Sequence, residues 1–418
     1  MSKPYIQHVS ALEILDSRGQ PTVKASITLS NGMKGAASVP SGASTGGAEA
    51  SELRDGDPQR YRGLGCLKAV QHINSDIKKL LEGSALVGQS TLDQQLIDLD
   101  GTNNKSRLGA NAILAVSLAY AKTMAKYEQL PLYRYFSRLL GNKQEPKLPQ
   151  LTINLFSGGK HAGAQVPIQD VLMVPIATKR VRTGLEQCFK VYRAAVDLTA
   201  TNYQSRWLTA DEGGLAPPFT DADQMFEAAI ASIKAAGFEA AKEIALAVDV
   251  AASHFYVDGY YHLSERMLTS TQMIQQLYNW TQQYPIISIE DGLAEEDWLH
   301  WTALTGKMGL NQMIMGDDLL CTHVTRIQQA ITTHAANALL LKVNQIGTLT
   351  EAAKAYQLAR TAGWKITISA RSGETEDNWL ADLAVGWAGD FIKVGSITQS
   401  ERLAKYNRLL EIEAELEG

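Results

Sequence analysis

IALAVDV (Ile244–Val250), IISIED (Ile286–Asp291), MIMGDD (Met313–Asp318), ALLLKVN (Ala338–Asn344), KITISAR (Lys365–Arg371) and FIKVGS (Phe391–Ser396) are short apolar runs, nearly all closed by polar or charged residues. With Asp249, Glu290, Asp317, Lys342, Ala370 and Lys393 as markers, the steps between them are 41, 27, 25, 28 and 23 residues, the length of a strand plus a helix. Apolar runs without alternation suit strands of a parallel sheet buried on both faces, and so many consecutive βα units predict an αβ barrel. A doubly wound open sheet is the second choice. Helix-start signals between the runs agree: Thr348 with Glu351, and Thr220 with Asp223, have capping-box spacing.

The N-terminal part follows a different pattern. From Tyr5 to about Leu53, β-type runs (PTVKASITL, MKGAASV) alternate with turn signals (SRGQP, SNG, PSGASTGG), which predicts an antiparallel meander. Leu67 to Leu81 and Ala110 to Tyr127 carry apolar residues at three- and four-residue spacing and predict helices. A chain of 418 residues is long enough for two domains. The expected division is an α+β capping domain over residues 1–140 and the barrel over 141–418, with GNKQEPK (Gly141–Lys147) as the linker.

Composition excludes several classes. With 39 Lys+Arg against 44 Asp+Glu and a net charge of −5, the chain has no basic excess for a nucleic-acid backbone. The longest weakly polar stretch, Leu108 to Ala121, contains Asn111 and Ser117 and stops at Lys122, short of the roughly 20 apolar residues of a membrane span. The N-terminus carries His8, Glu13, Asp16 and Arg18 where a signal peptide needs an apolar run, so a cytoplasmic location is expected. Cys66, Cys188 and Cys321 form no CxxC pair and read as core thiols.

Barrel enzymes carry their chemistry at the C-terminal ends of the strands, where the charged closers fall. Asp249, Glu290 and Asp317 would point into one mouth. All-oxygen ligands without His or Cys favour a hard cation, Mg²⁺ above all; the alternative is three independent capping or salt-bridged acids. Lys342 and Lys393 end later strands. Either they neutralise the acids, or one, its ammonium form disfavoured near other cations, serves as a general base. ADEGGLAPP supplies Asp211 and Glu212 on a loop, where a carboxyl group is either a general acid or a turn-forming acid. SGASTGG (Ser41–Gly47) is a hydroxyl-rich loop able to fold over a phosphate or metal, or only a loop; no Walker A lysine follows it. A metal, a lysine base and an opposed carboxylic acid describe proton abstraction beside a carboxylate, with the acid assisting loss of a β-leaving group.

DSRGQPTV (Asp16–Val23), PSGASTG (Pro40–Gly46), ELRDGD (Glu52–Asp57), ANAILAVSLA (Ala110–Ala119), DEGG, SIEDGL (Ser288–Leu293), GDDL, KVNQIGT (Lys342–Thr348) and RSGETED (Arg371–Asp377) together resemble the enolase family over nearly the whole chain. The resemblance implies an enolase-like, TIM-type αβ barrel with an N-terminal α+β cap, and reversible dehydration of 2-phosphoglycerate to phosphoenolpyruvate in glycolysis. It also implies two Mg²⁺ ions per active site; a lysine base with Mg²⁺ is the established pattern of that superfamily. By motif it implies Asp249, Glu290 and Asp317 as metal ligands, with Ser41 joining a second Mg²⁺ when its loop closes. Lys342 would be the base, Glu212 the acid and Asp170 a further active-site carboxylate. Lys393 would meet the substrate carboxylate, Arg371 and Ser372 its phosphate, and His161 belongs to a second mobile loop.

Four departures from the family pattern stand out, the last of them a pair of residues. Ala370 stands where the pattern has a pocket histidine, Asp170 where it has glutamate, and His254 where it has glutamate on a third mobile loop. The shorter Asp170 holds its carboxylate about 1 Å further back. Such changes either reduce rate or accommodate a different substituent, so the alternative is an enolase paralogue dehydrating a related phosphorylated or phosphonate hydroxy acid. A binding protein without turnover is the third reading. Lys24 and Glu411 exchange the charges of a Glu–Arg pair that bridges two subunits, which implies a homodimer, or a higher homo-oligomer, with Lys24 facing Glu411. The chain ends at Gly418 without the family's short basic tail.

Overall fold

The computed structural model describes residues 3–141, 145–204, 206 and 208–417; residues 142–144 of the expected linker lie outside that set. Strands β1 (Ile6–Leu15), β2 (Pro21–Leu29) and β3 (Lys34–Ser38) form an antiparallel sheet in the order β1-β2-β3. Onto β2 and β3 packs the helix Ala110–Tyr127, whose residues are buried on nearly every side. The approach is close: a Cβ at Gly35 would lie 2.5 Å from the backbone nitrogen of Thr123, so glycine is needed there. The expected helix over Leu67–Leu81 forms with a π-turn at Ile73–Ile77 in its middle.

Eight strands close the barrel: β4 (Gln150–Ser157), β5 (Asp170–Pro175), β6 (Ile244–Asp249), then, after a small antiparallel sheet of β7 (Tyr256–Val257), β8 (Tyr260–Leu263) and β9 (Arg266–Leu268), β10 (Ile286–Glu290), β11 (Met313–Gly316), β12 (Ala338–Leu341), β13 (Lys365–Ser369) and β14 (Phe391–Gly395). The six apolar runs are β6 and β10–β14, and the open-sheet alternative is excluded by closure of β14 onto β4. One strand departs from the all-parallel expectation: β5 runs antiparallel to both β4 and β6. The segment from Gly158 to Gln169 holds a short 3-10 turn at Gly159–Ala162 and no α-helix to carry a crossover, and the chain returns antiparallel.

The barrel interior is filled from below by Leu172, Val174 and Ala247 and by Met315, Ala338 and Leu340, separate from the main core between strands and helices. The polar mouth therefore rests on an apolar floor. Helix starts follow the sequence signals with one shift. Thr348 caps Glu351 as expected, but at the other site Asp221 accepts from the Gln224 backbone while Asp223 accepts from Trp280 Nε1. The three cysteines are buried and free, and among the described residues no helix is long and apolar enough to cross a membrane.

The cap is tied to the barrel by buried polar contacts. Asp93 accepts from the Thr350 backbone at 2.9 Å, Lys105 pairs with Glu351, and Ser41 and Gly373 exchange backbone hydrogen bonds at 2.8 and 2.9 Å. These contacts lay the Ser41–Gly47 loop across the mouth.

Candidate active site at the barrel mouth

Asp249 and Glu290 are the last residues of β6 and β10, and parallel pairing sets them side by side. Asp317 and Lys342 follow β11 and β12 directly, and Lys393 lies on β14. All five are buried or nearly so. Lys393 Nζ sits between two carboxylates, 2.7 Å from Asp249 Oδ2 and 2.8 Å from both oxygens of Glu290. Lys342 Nζ donates to Asp317 Oδ2, whose other oxygen accepts from Gln345 Nε2 at 2.8 Å. Gln169 Nε2 donates to Asp249 Oδ2 at 3.0 Å.

These neighbours set the charge states. Burial pushes Asp249 up, but Lys393 outweighs it and holds the carboxyl down at about 2. Glu290 is pushed well above its ordinary range by burial and by Asp249. Lys342 was expected to be disfavoured as an ammonium. Burial does work in that direction, yet Asp317 outweighs it and the lysine lies above its ordinary value.

Three buried carboxylates supply only oxygen donors, which fits a hard divalent cation, and the two ammonium groups hold Asp249, Glu290 and Asp317 in ion pairs and hydrogen bonds. Potential ligand atoms gather within 4.8 Å in two groups, Asp291–Asp317–Asp318 and His161–Asp170–Glu212. Asp249 and Glu290 belong to neither group, and the Lys393 ammonium bridges the two. Asp291, which sequence reasoning passed over, accepts from the Asp317 and Asp318 backbones at 2.8 Å each and so shapes the turn that carries Asp317. The doubled acids in IED and GDD were the available signal.

On the opposite wall, His161 Nδ1 lies 3.1 Å from Asp170 Oδ2, and Asn154 Nδ2 donates to Glu212 Oε2 at 3.1 Å. Burial opposes a charge on His161, but Asp170 and Glu212 raise it to about 9. Glu212 is pushed up by burial and drawn below its ordinary range by His161, Arg402 and Lys393 together.

Arg371 and Ser372 are reached by the lid loop. Arg371 Nη1 is 2.9 Å from Glu49 Oε2, and its Nη2 donates to Ser44 O at 2.6 Å and Glu49 Oε1 at 3.2 Å. Ser372 Oγ accepts from the Ala43 backbone at 2.7 Å. A Cβ at Gly42 would fall 1.9 Å from Arg371 Nη2, so the loop can lie here only with glycine. Arg402, wholly buried in the last helix, braces this segment by donating to Arg371 O and Val394 O. It was not singled out from sequence, since a lone arginine in a helical pattern carries no signal.

Glu212, His161, Lys342, Arg371, Ser372 and Lys393 line one cavity of about 20 Å³ under Gly42–Ser44, room for about one water. Anything larger enters only if the loop moves. Ser41 is not brought to this cavity: its hydroxyl donates to Glu52 Oε2 at 3.1 Å and accepts from Arg54 Nη2 at 2.7 Å. Ala370 lines the cavity with a methyl group. His254 is half-buried on the turn Ala252–Phe255, its Nδ1 has no hydrogen-bond partner, and burial with Lys160 nearby lowers it to about 4.

The family model described as "Enolase, N-terminal domain" matches residues 6–136, and "Enolase, C-terminal TIM barrel domain" matches residues 145–418. The cap sheet with its helices falls within the first match and all eight barrel strands within the second. Fold, buried carboxylate–lysine mouth and both matches agree, and the chain belongs to the enolase family of lyases.

Proposed function

We propose that the protein is a Mg²⁺-dependent hydro-lyase of the phosphopyruvate hydratase type, dehydrating 2-phosphoglycerate to phosphoenolpyruvate, with residues 1–140 as cap and 141–418 as catalytic domain. The observation carrying this reading is the single cavity lined by Lys342, Glu212, Lys393 and Arg371. Asp249, Glu290 and Asp317 would hold the metal, with Ser41 serving a second ion. Bound there, Mg²⁺ supplies positive charge to a substrate carboxylate. Lys342, an ammonium while it pairs with Asp317, would take the proton from the carbon beside the carboxylate once a cation on Asp317 displaces it and it gives up its own proton. Lys393 would face that carboxylate, and Glu212 would have to gain a proton before handing one to the departing hydroxyl. Arg371 and Ser372 receive the phosphate, and the Gly42–Ser44 loop excludes water.

The second reading, a paralogue acting on a related phosphorylated or phosphonate hydroxy acid, is favoured by Ala370 in the cavity wall and by the unpartnered Nδ1 of His254. Enol phosphate absorbance on adding 2-phosphoglycerate and Mg²⁺ separates the two. Turnover near the roughly 10 s⁻¹ of ordinary enzymes supports the first reading, and none at saturating metal removes it. If the second holds, Ala370→His raises turnover of 2-phosphoglycerate.

The assembly proposed is a homodimer in the cytoplasm. Lys24 is exposed on β2 and, with Lys122, Glu374, Glu376, Asp377 and Glu401, lines a cavity of about 650 Å³ in which Lys122 pairs with Asp377 and Glu374 with Lys405. Glu411 is exposed and pairs with Arg408 of its own helix at 2.9 Å.

A further inference from the structure

Asp317 is braced from behind by a hydrogen-bond chain that runs in one direction. The Lys342 backbone N–H donates to Thr322 Oγ1 at 3.0 Å, the Thr322 hydroxyl donates to Gln345 Oε1 at 2.8 Å, and Gln345 Nε2 donates to Asp317 Oδ1 at 2.8 Å. Thr322 and Gln345 are fully buried, and neither lines the cavity under the lid loop. The direction is forced, because a backbone N–H can only donate and an ionised carboxylate can only accept. The amide therefore meets Asp317 with its nitrogen, and the Thr322 hydroxyl holds it so. Turned over, it would set Oε1 against a carboxylate oxygen.

The chain bends sharply to place that hydroxyl. Cys321 and Thr322 follow one another in the left-handed region, at φ 46° and 51°, which a β-branched residue such as threonine rarely adopts. The Leu320 and Cys321 N–H groups both donate to Asp317 O, at 3.0 and 2.7 Å, so the turn winds around the residue it braces. Strain retained in such a place points to a task. From the cap, the Ala50 N–H donates to Gln345 O at 2.7 Å and fixes the other end of the brace.

We propose that Thr322 and Gln345 are positioning residues that keep Asp317 Oδ1 turned to the amide, so that Asp317 offers the mouth a single oxygen and the site favours Mg²⁺ over Ca²⁺. This rests on the metal reading above. The oxygen left for a cation is Oδ2, now held by the Lys342 ammonium. Ca²⁺ takes about six to eight oxygens at roughly 2.3–2.6 Å, often both from one carboxylate, whereas Mg²⁺ keeps near-octahedral geometry at roughly 2.0–2.1 Å. An acid restricted to one oxygen suits Mg²⁺ and denies Ca²⁺ a ligand.

The test is titration calorimetry of Mg²⁺ and Ca²⁺ on metal-free, full-length protein at one pH, counting only the binding that Asp317→Asn abolishes, with thermal melting to show that each variant is folded. Gln345→Leu, which frees Oδ1, is expected to raise the ratio of Ca²⁺ to Mg²⁺ affinity by about tenfold, the lower end of what a group supporting a ligand controls. Thr322→Val keeps the shape without the hydroxyl and should shift the ratio in the same direction, while Thr322→Ser should restore the wild-type ratio. A shift below about twofold in folded Gln345→Leu overturns the proposal, as does a wild type that binds Ca²⁺ the more tightly. Equal ratios in Thr322→Val and Thr322→Ser remove Thr322 from it. If Gln345→Leu does not melt cooperatively, the two threonine variants decide, and no difference between them overturns the proposal. A wild type that binds neither cation refutes the metal reading itself, and the selectivity falls with it.

Discussion

Glu49 and Arg371, distant in sequence, form a buried two-pronged ion pair, Nη1 to Oε2 at 2.9 Å and Nη2 to Oε1 at 3.2 Å. A lid-loop carboxylate thus neutralises the arginine proposed to receive phosphate. In Glu49→Gln the guanidinium keeps its burial and loses its counter-charge, which typically costs about 3–5 kcal/mol. The melting temperature should fall, and inorganic phosphate should raise it more in the variant than in the wild type. Equal phosphate effects on both would separate Arg371 from phosphate recognition.

Metal affinity should depend on the strand-end acids. Asp317→Asn is expected to weaken Mg²⁺ binding, followed by titration calorimetry, by more than the roughly 10–100-fold lost when only a supporting group is altered. Gln345→Leu, which removes the hydrogen bond to Asp317, should fall within that smaller range. Unchanged affinity in Asp317→Asn would place the cation elsewhere.

Stability should vary with pH through His161. Its folded value of about 9 lies above the ordinary 6.5, so its contribution is complete below about pH 6.5 and is lost as pH rises through 9. At most it amounts to about 3 kcal/mol, with the burial of Asp170 working against it. Urea unfolding should accordingly show the wild type's advantage over His161→Gln shrinking between pH 6.5 and 9. A constant difference would mean that the ring is neutral throughout.

Association should respond to the exchanged charges. Lys24→Glu is expected to weaken the dimer about tenfold, and the double change with Glu411→Arg to restore it, as sedimentation velocity would reveal. Additive losses would dismiss the cross-subunit pair.

Much of this was legible in the chain. Runs such as ALLLKVN state both a buried strand and the residue that ends it, since an apolar run must stop where the backbone meets solvent. Local signals were less exact where two polar neighbours compete for one cap, as Thr220 and Asp221 do before the helix Ala222–Ala235. Neither the direction of β5 nor its pairing partners could be read from the chain, because both are set by contacts with β4 and β6.

Sequence by itself determined the barrel, the cap and the side chains able to do chemistry, because strand period, helix period and charge at strand ends are local properties of the chain. Tertiary structure alone decided which charges neutralise one another. Lys393 bridges Asp249 and Glu290, Glu49 occupies Arg371, Ser41 turns to Glu52, and Ser157 claims Asp170. Each depends on groups far apart in sequence brought within about 3 Å in a low-dielectric interior, where a partner's identity outweighs intrinsic preference.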